Sequence, residues 1–163
     1  MLHLAATMHQ LDFGKLMAVY EEGNRENGRM LFPDLSENLQ LLQAEQSFYQ
    51  YLTESFFPLP GAVYAIWTEN GCYLSALRLE PYKDGLLLEG LETAPAFRKQ
   101  GYATRLIQAV QQKLPEKIYA HVHKRNKASL AVHQKCGFQV LYDYARYIDG
   151  SVASNAYTLC YQP

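Results

Sequence analysis

The chain has 163 residues, 48% apolar and 19% charged, with a formal net charge of -1. That length and balance suit one folded domain over residues 1–163, and they argue against disorder, a fibrous repeat and nonspecific nucleic-acid binding. The opening MLHLAATMHQLDFGK lacks a basic segment followed by a long apolar core, and no stretch approaches the roughly 20 apolar residues of a membrane span, so the expectation is a cytoplasmic protein with no membrane partner. Cys72, Cys136 and Cys160 are odd in number and lack CxxC spacing. They predict neither a disulfide framework nor a zinc site, but buried small side chains.

In chain order, Leu2, Leu4 and Ala6 alternate as a short strand. Gln10 to Glu22 reads as a helix that Gly23, Asn24, Asn27 and Gly28 interrupt. Ser36 to Glu54 lacks Gly and Pro and places Leu39, Leu42, Phe48, Tyr49 and Leu52 near one stripe, which predicts a helix capped by Ser36 and ended by Pro58 and Pro60. AVYAIWT and CYLSALRLE flank the turn TENG as a hairpin, and LLLEGLET follows EPYKDG as a third antiparallel strand. Thr104 to Leu114 is an amphipathic helix, and KIYAHVHK is a strand expected to run parallel to LLLEGLET in a right-handed βαβ unit. Asn126 caps the short helix KASLAVHQKC, Gly137 ends it, and a tyrosine-rich hairpin closes the chain.

Arg98, Lys99, Gln100, Gly101, Tyr102 and Ala103 lie between a strand and a helix, followed by Thr104. Unpaired amides and the positive dipole end of the helix suit a pyrophosphate, Gly101 permits close backbone approach, and Arg98 and Lys99 add charge. Arg98, Gly101 and Ala103 meet the pattern (Q or R)-x-x-G-x-(G or A). NKASLAVHQKCGF places Asn126, Ser129, His133, Gly137 and Phe138 in register with N-x-x-A-x-x-x-Y-x-x-x-G-F. With the two blocks in order and correctly spaced, the chain resembles the GCN5-related N-acetyltransferase (GNAT) superfamily over nearly its whole length.

The resemblance implies an α/β fold with a mixed, mostly antiparallel sheet, one splayed parallel strand pair and flanking helices. It implies acetyl-CoA as co-substrate and acetyl transfer by direct attack of a primary amine of a small molecule or peptide. The backbone of Leu91, Glu92 and Thr93 would hold the pantetheine arm and supply the oxyanion donor, and the amides from Lys99 to Thr104 would hold the pyrophosphate. Asn126, Ser129 and His133 share a helix face, which in this fold looks toward the CoA thiol. His133 replaces the usual acid tyrosine, with Tyr142 and Tyr144 as alternative acids. For the base, Glu89 and Glu92 differ in parity and so point to opposite faces, while His121 and His123 share a face of the next strand. No third ligand joins these two histidines, so no metal is expected.

The family's acceptor side falls on 32–57 and 142–157, where Phe48, Tyr49, Tyr51, Phe56, Phe57, Tyr142, Tyr144 and Tyr147 offer an aromatic wall. The missing tyrosine keeps a second reading open, an acyl-CoA-binding module without turnover that acts as a sensor or partner surface. Monomer and homodimer are both compatible with the sequence.

Overall fold

Apolar alternation and β-branched runs produce the strands, and the 3.6-residue pattern the helices, in a computed structural model that describes all 163 residues. β1 (Leu2–Ala5) is followed by a 3₁₀ turn and by α1 (Phe13–Val19), α2 (Glu21–Leu31) and α3 (Glu37–Tyr51). A π-helical turn, Leu52–Phe56, extends α3. Then come β2 (Val63–Glu69), β3 (Cys72–Tyr82), β4 (Gly85–Thr93), α4 (Tyr102–Lys113), β5 (Ile118–His123), α5 (Lys127–Lys135), β6 (Gln139–Tyr142), β7 (Ala145–Arg146), β8 (Val152–Ala153) and β9 (Ala156–Tyr161).

The 7-stranded sheet has the order β1-β2-β3-β4-β5-β9-β6. Only β4 and β5 run parallel, joined by α4 as the expected crossover. One face packs Ala65, Leu77, Leu79, Leu88, Ala120 and Leu159 against Leu106, Ile107 and Val110 of α4 and Leu130 of α5. The other packs Tyr64, Ile66 and Ala76 against Leu16, Met17 and Val19 of α1 and Leu52 and Phe56 beyond α3. No helix is long and apolar enough to cross a membrane.

Four sequence expectations change. The glycines and asparagines after Glu22 do not stop a helix, because α2 runs through them. Gly28 is there for space, since a Cβ on it would lie 2.5 Å from the Gln40 carbonyl of α3. The α3 stripe is rotated, with Gln40 and Ala44 buried while Leu39, Leu42 and Tyr49 are each 47% exposed. Cys136 and Cys160 are buried as expected, but Cys72 opens β3 at the surface. Ser36 precedes α3 without a side-chain cap bond, whereas Asn126 caps α5 through Oδ1, accepting from the Ser129 amide at 3.1 Å.

Candidate active site

β4 departs from β5 partway along its length. The parallel pairing runs from Leu86↔Ile118 to Leu88↔Ala120 and stops, although β4 continues to Thr93 and β5 to His123. The cause lies on the other edge of β4, where the register with β3 shifts between Ala76 and Arg78. Glu89 pairs with Arg78 and Glu92 with Ala76, so Gly90 and Leu91 together oppose Leu77 in a β-bulge. Gly90 takes φ +57, a left-handed value that glycine adopts at no steric cost. Its carbonyl accepts a 2.5 Å hydrogen bond from the Tyr20 hydroxyl at the end of α1. The extra residue also reverses strand parity: Glu89 and Glu92 pair with residues two apart on β3 and therefore share a face, contrary to the parity expectation.

Two cavities flank the bulge, one lined by Leu91 and the other by Gly90. On the α4 and α5 side, a cleft of about 530 Å³ is lined by Leu91, Glu92, Thr93, Arg98, Lys99, Gly101, Tyr102, Ala103, Thr104, Asn126 and Ser129. Phe97, Ala128 and Val132, which the motif reading passed over, complete the wall. Of the residues expected at the cofactor, only Gln100 and His133 do not line it. The Gln100 side chain instead bonds the Ala96 carbonyl at 3.3 Å.

The turn before α4 is built to receive an anion. Lys99 (φ +60) and Gly101 (φ +82) alternate left-handed conformations, the geometry that turns successive amides into one concavity. No side chain caps α4, which leaves its first amides open. A Cβ on Gly101 would meet nothing within 4 Å, so the glycine faces empty space. Arg98 lines the cleft with its guanidinium already partnered. It pairs with Glu22 of α2, stands 3.9 Å from Glu92 and donates from Nε to the Thr93 carbonyl at 3.2 Å, fastening α2 to the end of β4. Burial raises the Glu92 carboxyl above its ordinary value. The Glu92 and Thr93 backbone is held from β3, where the Ser75 hydroxyl donates to the Glu92 carbonyl at 2.7 Å and accepts from the Thr93 hydroxyl at 3.1 Å.

On the α1 to α3 side, a second cavity of about 340 Å³ is lined by Arg78, Leu88, Glu89, Gly90, His121, His123, Tyr147, Asn155 and Ala156. Tyr82 and Tyr147 stand edge-on to the His121 ring, at 5.6 Å and 5.1 Å, and its buried Nε2 has no partner. Burial lowers the pKa of this imidazole, favouring the neutral, proton-accepting form. Glu80, 7% exposed, lies on the same face, and burial together with the neighbouring Glu89 charge pushes its carboxyl up to about 7. Tyr51 and Phe48 place their rings 5.1 Å and 5.9 Å from the Arg78 guanidinium. No group of three or more His, Cys, Asp or Glu side chains is placed to hold a metal.

None of the three acids expected from the sequence, His133, Tyr142 and Tyr144, lines the cleft. His133 is 2% exposed, edge-on to Phe138, with Nδ1 2.8 Å from the Ser129 carbonyl. That bond places the ring proton on Nδ1 and leaves the buried Nε2 bare, while burial lowers the pKa. A neutral ring in this tautomer has no Nε2 proton to give. Tyr142 stacks on Tyr144 at 5.3 Å beneath the Lys83 ammonium and lines neither cavity.

A model of the acetyltransferase (GNAT) family matches residues 29–138. The chain belongs to that family. This GNAT acetyltransferase also superposes on solved structures at identities that speak to fold alone. Aminoglycoside 6'-acetyltransferase type Ii gives a TM-score of 0.63 at 12% identity, covering 99% of this chain and 96% of the other. The IAA acetyltransferase of Bacillus cereus ATCC 14579 gives 0.60 at 12%, covering 100% and 99%. The PaiA N-acetyltransferase of Thermoplasma acidophilum, solved in complex with coenzyme A, gives 0.59 at 13%, covering 100% and 99%. None of the curated proteins matches this chain.

Arg78, Glu80, Tyr20 and Gly90 were not singled out as site residues by the motifs. Gly90 inside an otherwise regular strand was a readable sign of a bulge, and the charged pair in CYLSALRLE was a sign of a polar patch on that sheet.

Proposed function

We propose that this GNAT domain transfers the acetyl group of acetyl-CoA to a primary amine of a small molecule or peptide by direct attack. The observation that carries this reading is that two cavities flank the bulge where β4 leaves β5, one lined by Leu91 and the other by the adjacent Gly90. Acetyl-CoA supplies the activated thioester. The amides from Lys99 to Thr104 hold its pyrophosphate, and the edge of Leu91 to Thr93 that β5 leaves unpaired offers hydrogen bonds to the pantetheine arm.

His121, which lines the second cavity and whose burial favours the neutral form, takes a proton from the acceptor ammonium. The freed nitrogen lone pair forms the N–C bond, the Leu91 amide stabilises the oxyanion, and the C–S bond then breaks with its electron pair going to sulfur. The attacking nitrogen then sheds its second proton, which water at the open cleft carries to the thiolate, since His133 commits its ring proton to the Ser129 carbonyl. Glu92 keeps Arg98 in place at the strand end. A CoA-binding module without turnover is the second reading, favoured by the same neutral His133.

Acetyl-CoA consumption with a panel of primary amines tests both. Thiol release matched by acetylated amine is the expected result, and CoA binding without transfer to any amine would establish the module instead.

A further inference from the structure

Arg78 and Glu89 are register partners across β3 and β4, and both line the second cavity, yet neither enters an ion pair with the other or with any other residue. Aromatic rings hold the guanidinium instead, and its buried Nε has no hydrogen-bond partner. It packs directly on the bulge, since a Cβ on Gly90 would come within 3.3 Å of its Cζ and Nη2. A cation held by aromatic rings and a carboxylate that forms no ion pair with it thus line one cavity, where the acceptor must reach the thioester.

We propose, on the footing of the acetyltransferase reading, that the acceptor is a free amino acid whose carboxylate is held by Arg78 and whose ammonium is first received by Glu89. Guanidinium and carboxylate match as planar, two-pronged partners. A plain alkylamine or a peptide N-terminus would fill the cavity and displace water from Arg78 without returning a counter-charge, which is strongly unfavourable. A zwitterion compensates both groups at once, and a cavity of about 340 Å³ suits a ligand of that size. The acetyl step is unchanged: the ammonium gives one proton to His121, the nitrogen attacks, sulfur leaves with the electron pair, and the second proton lost by nitrogen passes through water to the thiolate.

The test compares matched acceptors differing only at the carboxylate: leucine, leucinamide and isopentylamine; tyrosine, tyrosinamide and tyramine; lysine, lysinamide and cadaverine. For at least one set, kcat/KM for the free acid should exceed that of the amide and the amine by about 10- to 100-fold, as expected for hydrogen bonds to a charged group. Arg78→Gln should reduce that ratio to near one by raising KM for the acid, and Arg78→Lys should keep part of it. Equal use of acid and amide in every set by the wild-type protein would overturn the proposal, and that comparison does not depend on any variant folding. Calorimetric titration of the same compounds into the CoA-loaded protein separates the two readings. Selective zwitterion binding without turnover would refute acetyl transfer and keep the site; turnover that ignores the carboxylate would keep the transfer and refute the site.

Discussion

The Tyr20 hydroxyl donates a 2.5 Å hydrogen bond to the carbonyl of Gly90, tying the end of α1 to the bulge that separates β4 from β5. Tyr20 also packs on Phe48 at 5.3 Å and on Tyr64 at 6.4 Å, contacts that phenylalanine would keep. Tyr20→Phe therefore isolates the bond. It should cost about 1–2 kcal/mol in denaturant unfolding, because the Gly90 carbonyl loses its partner. Turnover should fall about 10-fold as the bulge loosens, with CoA affinity nearly unchanged. A drop in CoA affinity without a drop in kcat would place the effect on the wrong side of the strand.

Gly101 presents open space at φ +82 before the uncapped start of α4. Gly101→Glu adds bulk and negative charge where phosphate should sit, and about 1–2 kcal/mol of backbone strain. CoA binding by calorimetry should weaken at least ~100-fold. Asparagine tolerates left-handed backbone, so Gly101→Asn separates strain from charge and should retain measurable binding. Full CoA affinity in Gly101→Glu would move the pyrophosphate elsewhere.

Glu80 is buried beside Glu89, and its carboxyl is pushed from 4.5 up to about 7. Between those values the folded protein holds a proton that the unfolded chain has released, so stability falls as pH rises through the window. The full displacement corresponds to about 3 kcal/mol, which partial hydration and the shared interaction with Glu89 reduce to about 1–2 kcal/mol. Glu80→Gln removes the titration while keeping the shape. The variant should match wild type near pH 4.5 and exceed it by about 1–2 kcal/mol at pH 8 in chemical denaturation. A constant difference across pH would show that Glu80 titrates normally.

Sequence and structure agree where a local rule decides the outcome. The turn before α4, the Asn126 cap and the parallel placement of β5 follow from backbone amides, a side-chain oxygen and crossover handedness, all of which leave local marks. The bulge does not leave a complete mark. Gly90 hints at it, but which residues it rephases depends on pairing with β3, and one added residue inverted the relation between Glu89 and Glu92. His133 shows a second limit. Helix spacing correctly puts Asn126 and Ser129 at the cleft, yet the imidazole is drawn back against Phe138 and the Ser129 carbonyl. The α3 stripe went astray for a similar reason: close contact at Gly28 turned Gln40 inward and left Leu39 and Leu42 outside.

His133→Leu replaces a buried ring whose Nε2 has no partner with an apolar side chain of similar size. Stability should hold or rise by about 1 kcal/mol, since an uncompensated polar atom is removed from the interior. If water protonates the leaving thiolate, kcat should stay within about 3-fold of wild type. A loss of ~100-fold, the range of a general acid, would restore His133 to that role.

His121 is the complementary case, because its lowered pKa keeps it neutral under conditions where an ordinary histidine is charged. The acid limb of kcat/KM should therefore lie below the ordinary value of 6.5, with activity lost as protonation removes the base. His121→Ala should lower kcat/KM by about 10²-fold or more at neutral pH, abolish that limb and spare CoA binding, since His121 lines only the second cavity. An unchanged acid limb in His121→Ala would assign the titration to another group on the same face. Glu80 is then the first to test, and Glu80→Gln would move the limb if that carboxyl were its source.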